Sequence, residues 1–414
     1  MLRLGIVLLV LAAAATPALS QTTSTPRLRV FLDCGSCSQD YLRDQIKWVD
    51  FVRQPQDADV HILDNSNSTG GGGREVVVRF VGNGRFQAVD RELRVVTQVA
   101  DTDQRQRELM LRTISVGLLE YIAREGLPPE LEVQVTTPAA AGRPAAVVSD
   151  PWNRWVFSIG GGGEYQDQET QREVNWRGNA SADRVTDAWK ISFGVNGNER
   201  RERFELDDED EPLEVTRRDR RFEWFVAKSA GQHWSFGADG RVGTSTFSNL
   251  GFSVRAAPAV EFSIFPYRDY ASERWVIKYD AGIEKNRYNE ITLYGQEQET
   301  LWRHSLESVV EAEQPWGSIE AGVEFSQYLH DRSLYRVEVN GETSIRIARG
   351  LSFELSASIS RVRDQITLPR RDATDEEILL RLRELQSGYN VFTFFGIRYS
   401  FGSLFNNVVN PRFR

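Results

Sequence analysis

The chain of 414 residues has two cysteines, four histidines and, beyond its first twenty positions, no apolar run near the roughly 18 residues that a membrane-crossing helix needs. The last absence excludes a helical membrane protein. His61, His233, His304 and His330 stand without metal-ligand spacing, so no metal site is expected. Charge of a single sign is missing as well. Fifty Lys and Arg against 59 Asp and Glu give a net charge of −9, with both signs spread throughout. No broad basic surface results, and nucleic acid is not expected as a partner. Cofactor motifs are absent too. The glycine run 70–73 leads through Arg74-Glu75 into three valines, whereas a phosphate-binding loop needs Gly-Lys-Ser/Thr opening a helix. The run is expected to be a hairpin loop, and no cofactor is expected.

What is present divides the chain into parts. Arg3, the apolar run 4–15 and a small-residue site with Ala18 and Ser20 at the −3 and −1 positions mark residues 1–20 as a secretory signal peptide. Residues 21–135 mix two periodicities. Strand-like runs at 27–33, 58–63, 75–81 and 93–99 precede a helix expected from an Asp101/Thr102 cap to about Arg124. Met110, Ile114, Leu118, Tyr121 and Ile122 form its buried stripe, and the whole reads as a small periplasmic α/β domain. A Pro/Ala-rich linker covers 136–151.

From Trp152 the period is two, and nine of the ten tryptophans lie in this part. Alternating segments at 155–164, 174–185, 189–196, 222–227, 234–242, 252–265, 275–284, 302–313, 319–325, 335–347, 351–359 and 389–401 make twelve. A soluble sandwich also alternates. Three features favour an antiparallel transmembrane β-barrel of about 12 strands over 152–402. Most segments run eight residues or more, near the roughly 9–11 needed to cross a bilayer. Aromatic residues such as Trp189, Trp234, Trp275, Trp302 and Tyr389 sit at segment ends. Short turns at 229–232, 314–317 and 348–350 alternate with long charged loops at 206–218, 289–300 and 364–387. An even strand count puts the α/β domain and the tail 403–414 on the periplasmic side of the outer membrane, with its lipid as a partner.

Three resemblances bear on this. The last segment, Gly396-Ile-Arg-Tyr-Ser-Phe401, resembles the C-terminal signal of outer-membrane barrels, which implies the barrel assembly machinery as a partner; Phe394, where a polar residue is usual, and the following tail depart from it. Cys34-Gly-Ser-Cys37, after a strand and before a helix, resembles thioredoxin-type redox motifs, although its flanking residues do not match. A local structural disulfide is the other reading of Cys34 and Cys37. Taken together, Phe31-Leu-Asp-Cys34, Cys37, Asp57-Ala-Asp-Val-His-Ile62, Pro315-Trp-Gly317 and the stretch 401–413 resemble an uncharacterised family of bacterial outer-membrane β-barrel proteins with an N-terminal periplasmic α/β domain. The resemblance implies this architecture and lends no activity.

With apolar positions assigned to lipid, the polar set points inward. It includes Arg177, Lys190, Arg221, Arg241, Arg255 and Lys278 on the earlier strands, with Asp239, Glu261 and Asp280 among them. On the later strands it comprises Glu307, Glu311, Glu320, Glu324, Glu338 and Glu342. The expectation is an acidic wall facing a mixed, more basic one. Such a lumen is either a small diffusion pore for polar solutes or a plug of side chains paired across it. A scaffold that anchors the α/β domain for an unknown periplasmic partner or the cell wall is the alternative. An outer-membrane lipid hydrolase is not expected, because His304 faces outward while Ser305 points inward and Ser308 lies about 13 Å along the strand. The acidic run 207–211 reads as a solvated loop rather than a calcium site. The segment 375–385, with Ile378, Leu382 and Leu385 at helical spacing, reads as a helix that caps its loop or folds into the barrel mouth.

Overall fold

The computed structural model describes residues 27–70, 72–125, 150–205, 212–270, 273–372, 385–405, 407 and 412. The signal segment 1–20, nearly all of the linker 136–151, the acidic run 207–211 and all but the last residue of the segment 375–385 lie outside the described residues.

The first unit runs β1 (Arg29–Asp33), α1 (Gln39–Gln45), β2 (Asp50–Phe51), β3 (Val60–Ser68), β4 (Arg74–Gly82), β5 (Asp90–Thr97) and α2 (Asp103–Glu125). Its five-stranded sheet has the order β2-β1-β3-β4-β5. β1 is parallel to β2 and β3, and β3-β4-β5 is an antiparallel meander. The two-residue β2 is too short to leave a periodic signal, so sequence reading passes over it. The glycine run joins β3 to β4 as a hairpin. α2 opens where Thr102 Oγ1 accepts the Arg105 amide at 3.3 Å. Met110, Ile114, Leu118, Tyr121 and Ile122 are all buried and join Val76, Val78 and Phe80 in one core. The buried Tyr121 hydroxyl donates to the Val89 carbonyl at 2.6 Å, so no polar group in this core is stranded by that residue. Gly117 lets the helix lie this close, since a Cβ there would come within 2.1 Å of the Phe80 ring.

The second unit is a twelve-stranded antiparallel sheet in sequence order. Its strands are β6 (Trp155–Asp167), β7 (Gln171–Val185), β8 (Trp189–Phe204), β9 (Leu213–Ala230), β10 (Trp234–Ser245) and β11 (Leu250–Ser263). They continue as β12 (Glu273–Tyr288), β13 (Gln298–Gln314), β14 (Gly317–Tyr328), β15 (Tyr335–Ala348), β16 (Leu351–Val362) and β17 (Tyr389–Tyr399). β6 and β17 are its edges and are not hydrogen-bonded to each other, so the sheet is not a closed ring. Strand lengths run from 11 residues in β17 to 18 in β9. Most exceed the alternating segments because the strand ends on the long-loop side are charged on both faces. In β9, Arg217, Arg218, Arg220 and Arg221 occupy consecutive sides and erase the period there. The tight turns need their glycines: Gly317 has φ 140°, and a Cβ would sit 1.9 Å from the Ser344 carbonyl oxygen.

The ladder register separates two faces. One row reads Glu307, Glu324, Glu338, Ser360 and Asn390 across β13 to β17. The next reads Ser308, Val323, Val339, Ile359 and Val391. The last four of these are 46, 41, 46 and 57 % exposed. The apolar face continues through Trp189, Phe193, Phe222, Trp234 and Phe236. Phe193 stacks between Trp155 and Phe222 on this outer side.

Candidate functional site

The polar face of the sheet curls around a shared interior. One cavity of about 810 Å³, on the long-loop side, takes its walls from every strand between β7 and β15. A second, about 630 Å³ and on the short-turn side, is bounded by β12 to β17 and by Asn65, Ser66 and Asn67 at the end of β3.

The two chambers differ in charge. Seven arginines line the loop-side chamber, among them Arg200, Arg217, Arg221, Arg241 and Arg336, against five carboxylates that include Glu324 and Glu338. The turn-side chamber holds six glutamates, including Glu311, Glu320 and Glu342, and one arginine, Arg274. On neighbouring strands at mid-height lies a polar cluster. Arg255 pairs with Asp239 at 2.7 Å and with Asp280, which also accepts from Ser305 Oγ. Lys278 and Glu307 stand 3.9 Å apart at the β12–β13 pair. Lys190 shares its face of β8 with Ser192, Asn198 and Arg200 and is exposed, bounding neither chamber.

To the expected acidic wall facing a mixed, more basic one the chambers add a second division. Charge is sorted by height, and the ion pairs run sideways: Arg274–Glu311, Arg303–Glu324 and Arg241–Glu284 each join adjacent or near strands. Neighbouring strands lie about 4.8 Å apart, so a long side chain meets its neighbour before it can span the interior. Glu311, Glu320 and Glu342 lie directly opposite one another on β13, β14 and β15. Arg274 answers the first, and Ser356 donates to the last at 3.4 Å. Phe394 faces inward, opposite Ser356, where an outer-membrane signal would carry a polar residue.

A junction that sequence reading did not find joins the two units. Arg346 at the end of β15 pairs with Asp33 at the end of β1, and its other amino group donates to the Pro315 carbonyl at 3.0 Å. Arg349 pairs with Asp57 at 2.7 Å. Arg79 donates to the Glu313 carbonyl at 3.0 Å, and Tyr270 donates to Glu75 beneath Arg94. The C-terminal stretch crosses back: Arg53 N donates to the Leu404 carbonyl at 3.0 Å, Val52 bridges Phe405, and Asn407 Nδ2 donates to Asp50 at 3.0 Å. Phe31–Cys34, Asp57, His61, Pro315 and the stretch from Phe401, all quoted for the family resemblance, thus meet at one place. The contacts that cross between the units are silent in a periodicity argument because their partners lie hundreds of positions apart, as in Arg346–Asp33 at a separation of 313.

Electrostatics tighten this junction. Burial pushes the Asp33 carboxyl up, but the hydrogen bond to His61 and the Arg346 guanidinium outweigh it and hold the group below the usual carboxylate range. His61 is fully buried, with Nε2 3.1 Å from Asp33. Burial and then the Glu75 hydrogen bond push the Tyr270 phenol up to about 12. Cys34 and Cys37 are joined as a disulfide directly after Asp33, and the loop between them donates Gly35 and Ser36 amides to Asp64 at 2.7 and 3.1 Å.

Among the described residues no group of three or more His, Cys, Asp or Glu side chains is arranged to hold a metal ion. His304 packs against Tyr279 and Phe325 on the outer face, and Ser308 Oγ there accepts from Trp275 Nε1 at 3.1 Å. Compared with known proteins, the chain matches no family model and no curated protein.

Proposed function

We propose that this chain is an outer-membrane β-barrel that carries its own periplasmic α/β domain as a stopper on the short-turn mouth, as its resemblance to two-part outer-membrane proteins implies. The observation that carries the reading is the pairing of an apolar outer face with a charged interior whose turn-side chamber is walled in part by β3 of the α/β domain. An apolar belt around a polar interior is unfavourable in water and favourable in lipid. In hydrocarbon, the unpaired edges of β6 and β17 would each leave a row of backbone groups without partners, at several kcal/mol apiece. Twelve strands make these two edges antiparallel, so joining them closes the barrel and removes the cost.

In this reading the resting barrel is shut and conducts small polar solutes only when the junction opens. The test is single-channel recording of the full chain in planar bilayers. The wild type should be silent, and Arg346→Glu with Arg349→Glu should show steps. Restoring the pairs by adding Asp33→Arg and Asp57→Arg should silence them again. Silence in every variant would leave a plugged anchor for the α/β domain, and equal steps in every variant would leave an unguarded pore.

A further inference from the structure

Arg200 on β8 and Arg217 on β9 lie directly opposite each other in the ladder, and Asn175 on β7 lies opposite Arg200. All three line the loop-side chamber. Like charges in direct cross-strand register destabilise a sheet unless something answers them. Arg200 is answered in part, since its Nη2 reaches Glu173 and Glu202, both at 2.9 Å. Arg217 forms no ion pair among the described residues; its guanidinium lies 4.9 Å over the Phe247 ring, which fixes its plane.

The atoms left over are telling. Arg217 Nε and Nη2, Arg200 Nε and Asn175 Oδ1 are all shielded from water and hydrogen-bonded to nothing among the described residues. A buried donor or acceptor left without a partner is costly. Nε and Nη2 form the edge of a guanidinium that grips a carboxylate or phosphate with two parallel hydrogen bonds. That whole edge of Arg217 is free. The Asn175 amide, turned about its last bond, adds an N–H donor to the same row. Four donor positions on three adjacent strands, three of them on two fixed positive charges, face a chamber with more guanidinium than carboxylate.

We infer that the loop-side chamber is a binding site for a soluble oxyanion, held between Arg217 and Arg200 with Asn175 at its side. The ligand class is a small solute bearing a phosphate or carboxylate group, entering from the long-loop side. It would neutralise the opposed arginines and supply acceptors for every stranded N–H of the row. The site needs only the register of β7, β8 and β9, so it stands whether or not the barrel conducts.

Titration calorimetry of the full chain in detergent, with inorganic phosphate as the probe and chloride at matched ionic strength as the blank, tests it. Saturable heat is expected with phosphate and not with chloride. Arg217→Ala should weaken binding more than tenfold, and Arg217→Lys, which keeps the charge but loses the two-pronged edge, several-fold; Arg105→Ala on the outside of α2 should change nothing. A second readout separates binding from folding. Phosphate should raise the thermal midpoint of the wild type and leave that of Arg217→Ala unmoved, while Arg217→Ala without phosphate should melt no lower than the wild type. No saturable heat with the wild type, or equal affinity in the wild type and Arg217→Ala, overturns the inference.

Discussion

The two halves of this chain are built inside out with respect to each other. In the α/β domain Leu118, Ile114 and Phe80 are fully buried in its core. In the large sheet Val339, Ile359 and Val391 face outward, while Glu338, Ser360 and Asn390 on the same strands face inward. The same backbone chemistry thus carries its apolar side chains on opposite sides in the two halves.

The largest effects should come from substitutions that violate each half's own rule. Leu118→Ala removes a fully buried side chain and should destabilise the α/β domain by about 4 kcal/mol, read as a lower urea midpoint with the heat-modifiable gel mobility of the proposed barrel unchanged. Val339→Arg places a charge on the outer face at mid-strand. If that face meets lipid, it should cost about 3 kcal/mol in vesicle refolding. A cost near zero, as on a wetted sheet, would break the comparison.

A middle-sized effect concerns where the halves meet. Against the burial that pushes it up, Asp33 is held below the usual carboxylate range by its hydrogen bond to His61 and by Arg346, so it takes up a proton less readily than a free carboxylate. Its contribution to docking is complete above about pH 5 and is lost as the pH falls below roughly 4, through the lowered value. Protease accessibility of the α/β domain should rise over that acid range in the wild type and be independent of pH in Asp33→Asn. The smallest effect sharpens the interior: Glu320→Gln breaks the row of three facing glutamates and should stabilise the sheet by about 0.5 kcal/mol at pH 7, with no gain once carboxylates are protonated.

Much of this was legible in the sequence where one period governs one face. The α2 stripe from Met110 to Ile122 and the parity of Glu307, Glu324 and Glu338 follow from spacing alone, because burial on one side imposes it. The long-loop ends of β8 and β9 were not legible, since Arg200 to Arg203 and Arg217 to Arg221 carry charge on both faces. Neither was the vertical sorting of charge. Height depends on how strands stagger against each other, and a list of inward residues holds no stagger. The junction escaped for a related reason: Asp33, Arg346 and Asn407 meet through folding of both halves, and none belongs to a local motif.

The bridge from Val52 to Phe405 sets an order on how the molecule is put together. The α/β domain is synthesised first, yet part of the surface that holds it in place lies beyond the last strand. It can therefore seat fully only after β17 has been delivered. A chain cut short before Leu404 would keep twelve strands and a folded domain and still lack the stitch between them, which makes the final docking a report that the chain has been made at least as far as Phe405.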